Sequence, residues 1–182
     1  MFDLVQFISD CKKAVKVSPS STSVREVVGS AVSEHAAVRK ALGEPQRAEM
    51  QKLYQSPDLT ILNVLWAPWM TLLPHNHKMW AVIGIYTGRE DNIFWRRQGT
   101  GKLEAAGARA LSEQDAVPLG PDIIHSVTNP IPRLTGAIHS LRRDFFAVPR
   151  SEWDSETLLE ERSSGEKMLR RFEEANARLL HK

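Results

Sequence analysis

Between Leu59 and Leu141 the apolar residues come in short runs closed by glycine, proline or asparagine, and no helical stripe separates one run from the next. Strands joined without crossover helices return beside one another, so this segment is expected to fold as an antiparallel barrel or sandwich. Leu59 to Trp66 is apolar on both parities, as in a strand buried on both faces. After Pro68 a short strand, Met70 to Leu73, delivers the chain to His75 and His77. Trp80 to Tyr86, rich in β-branched and aromatic residues, reads as a buried strand ended by Thr87-Gly88. Asn92 to Arg97 alternates as a further strand and Gly99 to Gly107 reads as loop. Val117 to His125, with a turn at Gly120-Pro121-Asp122, and Arg133 to Leu141 supply the later strands, divided by Asn129-Pro130-Ile131-Pro132.

Both ends of the chain carry the helical period. Phe2, Leu4, Val5 and Ile8 form one stripe. After the polar break at Ser18 to Thr22, Ser23 and Glu26 have the spacing of a capping box, and a helix is expected from there to Leu42, stopped by Gly43 before Pro45. In the tail, Ser151 and Asp154 mark a helix start that runs through Trp153, Leu158 and Leu159 to a kink near Ser163-Ser164-Gly165. Met168, Leu169, Phe172, Ala175 and Leu179 then form an apolar stripe that packs on the barrel or on a partner subunit. The expected layout is a single domain: helical segment 1–56, barrel 57–148, and helical segment 149–182.

A chain of 182 residues with 42% hydrophobic and 25% charged residues can bury one core. The net charge of +2 comes from interleaved acids and bases, without the basic face that a nucleic-acid binder needs. With one cysteine, Cys11, no intramolecular disulfide can form, which suits a reducing compartment. The opening MFDLVQFISDCKKAVKV places an acid before and lysines after its apolar residues, the reverse of a secretory signal, and no run is long enough to span a bilayer. These features place the chain in the cytoplasm, with no nucleic-acid and no membrane partner.

On a strand, His75 and His77 would point to one side and Asn76 to the other, which makes half of a metal site. Two neighbouring histidines also occur solvated at strand ends, so the pair alone decides little. His125, inside the run Ile123-Ile124-His125, reads either as a core histidine or as a third ligand. Three donors suffice for a metal that keeps open positions. His35, beside Glu34 on a helix, reads as a surface residue. Glu90 and Asp91, just past Gly88, read as loop caps or partners of Arg89, and Asn129 as the residue that fixes its turn.

Pro74 to Gly88, with His75 and His77, and Gly120 to Asn129, with His125, resemble the two motifs of a cupin, the double-stranded β-helix fold. Many cupins carry a glutamate ligand a few residues after the H-x-H, where this chain has Trp80, Ala81 and Val82. The three-histidine set over residues 57 to 148 is similar to that of the cysteine-dioxygenase-like thiol dioxygenases. The stretch HxHxMWAVIGIYxGREDN resembles a bacterial branch of predicted metal-dependent enzymes of that superfamily. The resemblance implies iron(II) at His75, His77 and His125, and the use of O2 to turn a small thiol into its sulfinate. On the residues alone zinc and nickel suit histidine equally well, and a non-enzymatic metal- or ligand-binding cupin and a metal-dependent isomerase or lyase stay open. His139 aligns with the histidine that those dioxygenases place beside the metal between a serine and a tyrosine. Its neighbours here, Ala137 and Leu141, break that relay, so it reads either as part of the site or as a core histidine. The family's carboxylate-binding arginine is absent, since Leu59 to Leu73 holds no arginine or lysine. An anion then falls to Arg89, Arg96, Arg97, Arg133 or Arg142, with period two sending Arg96 or Arg97 inward. This points away from free cysteine, toward a mercapto acid or an aminothiol. A homodimer is compatible with the apolar tail helix.

Overall fold

The computed structural model describes residues 1–99 and 101–180. Its elements, in chain order, are α1 (Leu4–Val17), α2 (Thr22–Ser33), α3 (His35–Leu42), β1 (Glu49–Gln55), β2 (Leu59–Trp66), β3 (Thr71–Asn76), β4 (Ala81–Thr87), β5 (Arg89–Arg97), β6 (Leu103–Ser112), β7 (Ala116–Leu119), β8 (Ile124–Thr128), β9 (Thr135–Arg142), β10 (Ser151–Trp153), β11 (Glu160–Arg162) and α4 (Gly165–Leu180).

The pairing of the middle strands is nested. β2 pairs with β9, β3 with β8, β4 with β7 and β5 with β6, all antiparallel. The chain between Leu59 and Arg142 is therefore one long hairpin. Its successive rungs fall alternately into a sheet ordered β1-β2-β9-β4-β7 and a sheet ordered β11-β10-β3-β8-β5-β6. A hairpin wound in this way is a double-stranded β-helix, the cupin architecture.

β2, β4 and β9 are buried along nearly their whole length because both faces of their sheet are covered. Leu62, Val64, Trp66, Ala81, Ile83 and Ile85 point into the barrel core. Leu59, Ile61, Leu65, Val82 and Tyr86, on the other parity, pack under α1 to α3. α2 presents Val24, Val28 and Val32, all fully buried. Each such side chain is worth roughly 1.5–3 kcal/mol when removed from water. The helix comes this close because β4 has Gly84 beneath it, where a Cβ would lie 2.4 Å from Val28 Cγ1. Gly84→Ala is expected to destabilise the fold by roughly 1–3 kcal/mol through overpacking. Denaturant unfolding measures the loss, and Val28→Ala on the same background should recover part of it. Cys11 also sits in this layer, with Ile61 and Ile138. It packs on the outer wall of the barrel, and burial pushes its thiol up to about 12.

Several expectations are corrected. Residues 49–55, placed in the helical segment, form strand β1, a mostly half-buried strand that pairs with β2 at one edge of the first sheet. The helix expected from Ser23 to Leu42 breaks at Glu34, and Ser21, not Ser23, precedes its first turn. Gly99 to Gly107 is not all loop, since β6 begins at Leu103 and runs through Gly107, its apolar signal weakened because most of it faces solvent. The stretch from Ser151 is the hairpin β10–β11 rather than a helix, because β10 finds an edge to pair with on β3. The tail helix packs on the barrel: Phe172 stacks on Trp66 with ring centroids 5.7 Å apart, and the Asn176 amide clamps both backbone groups of Ala48 at 2.7 and 2.9 Å.

Candidate metal centre

His75 is carried by β3, His77 follows its last residue, and His125 lies on β8 directly opposite His75 in the register. The approach to His75 contains a bulge. Between Leu72 and His75 β3 has two residues, Leu73 and Pro74, where β8 has one. Pro74 has no N–H to give to the ladder, so a bulge costs little there and re-aims the histidine. Lys78, at φ 55°, turns the chain from His77 toward β4.

The three rings converge. Their centroids are 5.2, 4.5 and 5.0 Å apart for 75–77, 75–125 and 77–125, and one ring nitrogen of each lies within 4.8 Å of the others. The Leu73 carbonyl, 2.8 Å from His75 Nδ1, can only accept, so Nδ1 holds the proton and Nε2 keeps its lone pair. Burial holds His75 down at about 4 and both His77 and His125 well below the usual histidine range. All three are neutral imidazoles at pH 7, the form that ligates. Three convergent neutral nitrogen donors fit a divalent first-row metal.

The centre forms the polar end of an apolar pocket. Leu62, Val64, Val127, Leu141 and Phe145 supply its walls, and the C-terminal segment covers it with Arg150, Glu152, Met168 and Arg171. His139 also lines this pocket but is not among the converging nitrogens. It is buried, and its Nε2 has no hydrogen-bond partner among the described residues, with Glu90 Oε2 at 3.7 Å.

The proposed anion-binding residues are not brought to the pocket. Arg96 pairs with Glu104, and Arg97 with Glu160 at 2.7 Å while lying over the Trp153 ring. The pairing of β5 with β8 ends at Trp95–Ile124, so both arginines stand beyond the barrel where period two has no interior to point into. Arg89, Arg133 and Arg142 pair with Asp91, Glu113 and Asp58. The arginines that line the pocket are Arg171 and, with its Nε buried, Arg150. The Arg150 guanidinium lies 3.7 Å over the Phe145 ring, its Nε has no hydrogen-bond partner among the described residues, and burial lowers it to about 10. It therefore stays positive at neutral pH. Arg96→Ala and Arg97→Ala are expected to leave ligand binding unchanged and to alter stability by no more than about 1 kcal/mol each, as exposed ion pairs do. Titration of the folded variants with metal and with thiols checks this.

Glu90 is also corrected. Asp91 meets Arg89, with Oδ1 2.7 Å from Nε, but Glu90 is completely buried inside the barrel and accepts from Trp66 Nε1 at 2.9 Å. The signal was available: Glu90, Asn92 and Phe94 share one parity, and extending the alternation of β5 back to the Gly88 turn sends the carboxylate inward. Asn129 donates to the carbonyls of Trp66, Ala67 and Arg133 and accepts from Ile131 N, tying the turn after β8 to the end of β2.

No family model and no curated protein matches the chain. Solved structures similar to it include an RmlC-like cupin family protein with a double-stranded β-helix fold from Methanocaldococcus jannaschii, at 10% identity and TM-score 0.48, over 57% of this chain and 86% of that one. A cupin 2 conserved barrel domain protein from Salinispora arenicola matches at 20% identity and TM-score 0.42, over 52% and 74%. Oxalate decarboxylase from Bacillus subtilis matches at 15% identity and TM-score 0.41, over 50% of this chain and 22% of that one. No helix among the described residues is long and apolar enough to cross a membrane.

Proposed function

We propose that this chain is a metal-dependent thiol dioxygenase acting in the cytoplasm, with His75, His77 and His125 holding iron(II) and a small anionic thiol as substrate. The observation that carries the reading is the juxtaposition, in one apolar pocket, of three neutral, converging imidazoles and Arg150, whose Nε has no hydrogen-bond partner among the described residues. Neutral ligands leave a divalent metal its full charge, which favours a thiolate over a neutral donor. Iron bound there would supply the electrons through which dioxygen reacts. RSH and O2 together give RSO2⁻ and H⁺, so both oxygen atoms end on sulfur and no external reductant is needed.

The residues have distinct tasks in this scheme. The histidines hold the metal, Arg150 meets the substrate's anionic end, and the walls of Leu62, Val64, Val127 and Leu141 keep bulk water from the reacting sulfur. A planar guanidinium already stacked on Phe145 loses little freedom when it takes a carboxylate in its fork.

The test is the metal content of purified protein together with thiol-dependent oxygen uptake after loading with iron, zinc or nickel. Uptake with the iron form and a sulfinate product is the expected result. Tight metal retention with no uptake over a panel of small thiols would replace this reading by a non-enzymatic metal-binding cupin.

A further inference from the structure

Behind the three histidines lies a carboxylate whose hydrogen bonds end on one of them. Glu90 Oε2 accepts from Trp66 Nε1 at 2.9 Å, and Oε1 accepts from Asn92 Nδ2 at 3.0 Å. Asn92 Oδ1 is in turn 2.7 Å from His125 Nδ1. Glu90 and Asn92 are neighbours of one parity on β5, both buried, so the chain of bonds runs along the inner face of that strand.

The direction of these bonds follows from what each group can do. A carboxylate only accepts, so the Asn92 side chain must turn its NH2 toward Glu90 and its carbonyl toward His125. That carbonyl also only accepts, so the proton of the neutral imidazole sits on Nδ1. Nε2 of His125, which stands 3.5 Å from Nε2 of His77, is left with its lone pair facing the cluster. We infer that Glu90 is a positioning residue: acting through Asn92, it holds His125 in the tautomer able to ligate through Nε2. Partners that orient a ligating histidine in this way carry about 10- to 100-fold in metal affinity. Here the carboxylate acts at one residue's remove. The purpose of the device rests on the metal-centre reading, while the tautomer it sets belongs to the metal-free protein.

The substitution Glu90→Gln distinguishes this from a carboxylate that only fills the core. Trp66 can only donate, so the oxygen of the new amide would go to it and the amide NH2 would face Asn92. The Asn92 amide would then reverse, offering NH2 to His125 Nδ1 and moving the imidazole proton to Nε2, the ligating atom. Long-range proton–nitrogen NMR on metal-free protein with labelled histidine reads the tautomer, and zinc titration of the same samples reads the affinity. Wild type is expected to show Nδ1–H, and Glu90→Gln to show Nε2–H with zinc dissociation raised about 10- to 100-fold. The exchange Glu90→Gln with Asn92→Asp returns an acceptor to His125 Nδ1 and should restore both the tautomer and most of the affinity. Should Glu90→Gln not fold, Asn92→Ala leaves the Trp66–Glu90 bond in place and should give mixed tautomers with weakened zinc binding. An unchanged Nδ1–H tautomer with wild-type zinc affinity in the single variants, or a folded exchange variant that stays Nε2–H, overturns the inference. Wild type that holds Nδ1–H yet binds no zinc supports the positioning and overturns the metal reading alone.

Discussion

Alanine in place of His75, His77 or His125 is expected to abolish the thermal stabilisation that a divalent metal gives the wild-type protein. Metal at about 100 times its dissociation constant adds about 2.7 kcal/mol to the folded state. For a chain of this size that is a rise of roughly 5–10 °C in Tm, at about 2–4 °C per kcal/mol. A site built from three nitrogens has no donor to spare, so each substitution should remove most of that rise together with the bound metal. His139→Ala is expected to keep both, because its Nε2 lies 3.7 Å from Glu90 Oε2 and outside the converging set. Scanning calorimetry with and without added zinc, alongside metal analysis, makes the comparison. A full metal-dependent rise in His125→Ala, with loss of the rise in His139→Ala, would exchange the two residues in the scheme.

The same histidines give the metal-free protein a defined response to acid. Their folded-state pKa values lie below 6.5, with His75 down at about 4, so between these values the unfolded chain binds more protons than the native one. Stability is then full above about pH 6.5 and falls as the pH drops toward 4. Urea midpoints of metal-free protein measured over pH 4 to 7 should decline over this window. In a variant with all three histidines replaced by glutamine, the decline over the same window should be smaller.

What could be read from the sequence followed from burial. Leu59 to Trp66 and Trp80 to Tyr86 are covered on both faces, so their composition alone marked them as strands, and the glycine at position 88, at φ 84° against Thr135, marked the turn. His75, His77 and His125 were legible only as a set: an H-x-H at a strand end or one histidine in an apolar run decides little alone, but three on one small β-unit reach the number of donors that a metal with open positions needs. β6 was missed since its side chains mostly face water, and β10–β11 because three-residue strands are made by the edge they join and carry no period of their own. Arg150 was missed for a related reason. Its neighbours Pro149 and Ser151 look like a surface turn, and only the fold of the tail over the barrel mouth brings it beside residues more than seventy positions earlier.

Arg150 carries the second large expectation. If the guanidinium holds the carboxylate of a mercapto acid, Arg150→Ala removes a charge-assisted hydrogen-bonded pair worth about 1.5–3 kcal/mol. That corresponds to roughly a 10- to 150-fold rise in KM for 3-mercaptopropionate. Cysteamine has no carboxylate, so its KM should be unaffected by the same substitution, whatever its rate on the wild type. Arg150→Lys keeps the charge but neither the fork nor the stacking on Phe145, and should fall between the two. Free cysteine is expected to be a poorer substrate than the mercapto acid, because its ammonium group would meet Arg150 and Arg171 on the same pocket wall with Glu152 already engaged by Lys167 at 3.7 Å. Steady-state oxygen uptake with the three thiols on wild type, Arg150→Ala, Arg150→Lys and Arg96→Ala separates these outcomes. A mercaptopropionate KM that responds to Arg96→Ala and ignores both changes at position 150 would move the anion site out of the pocket and onto β5.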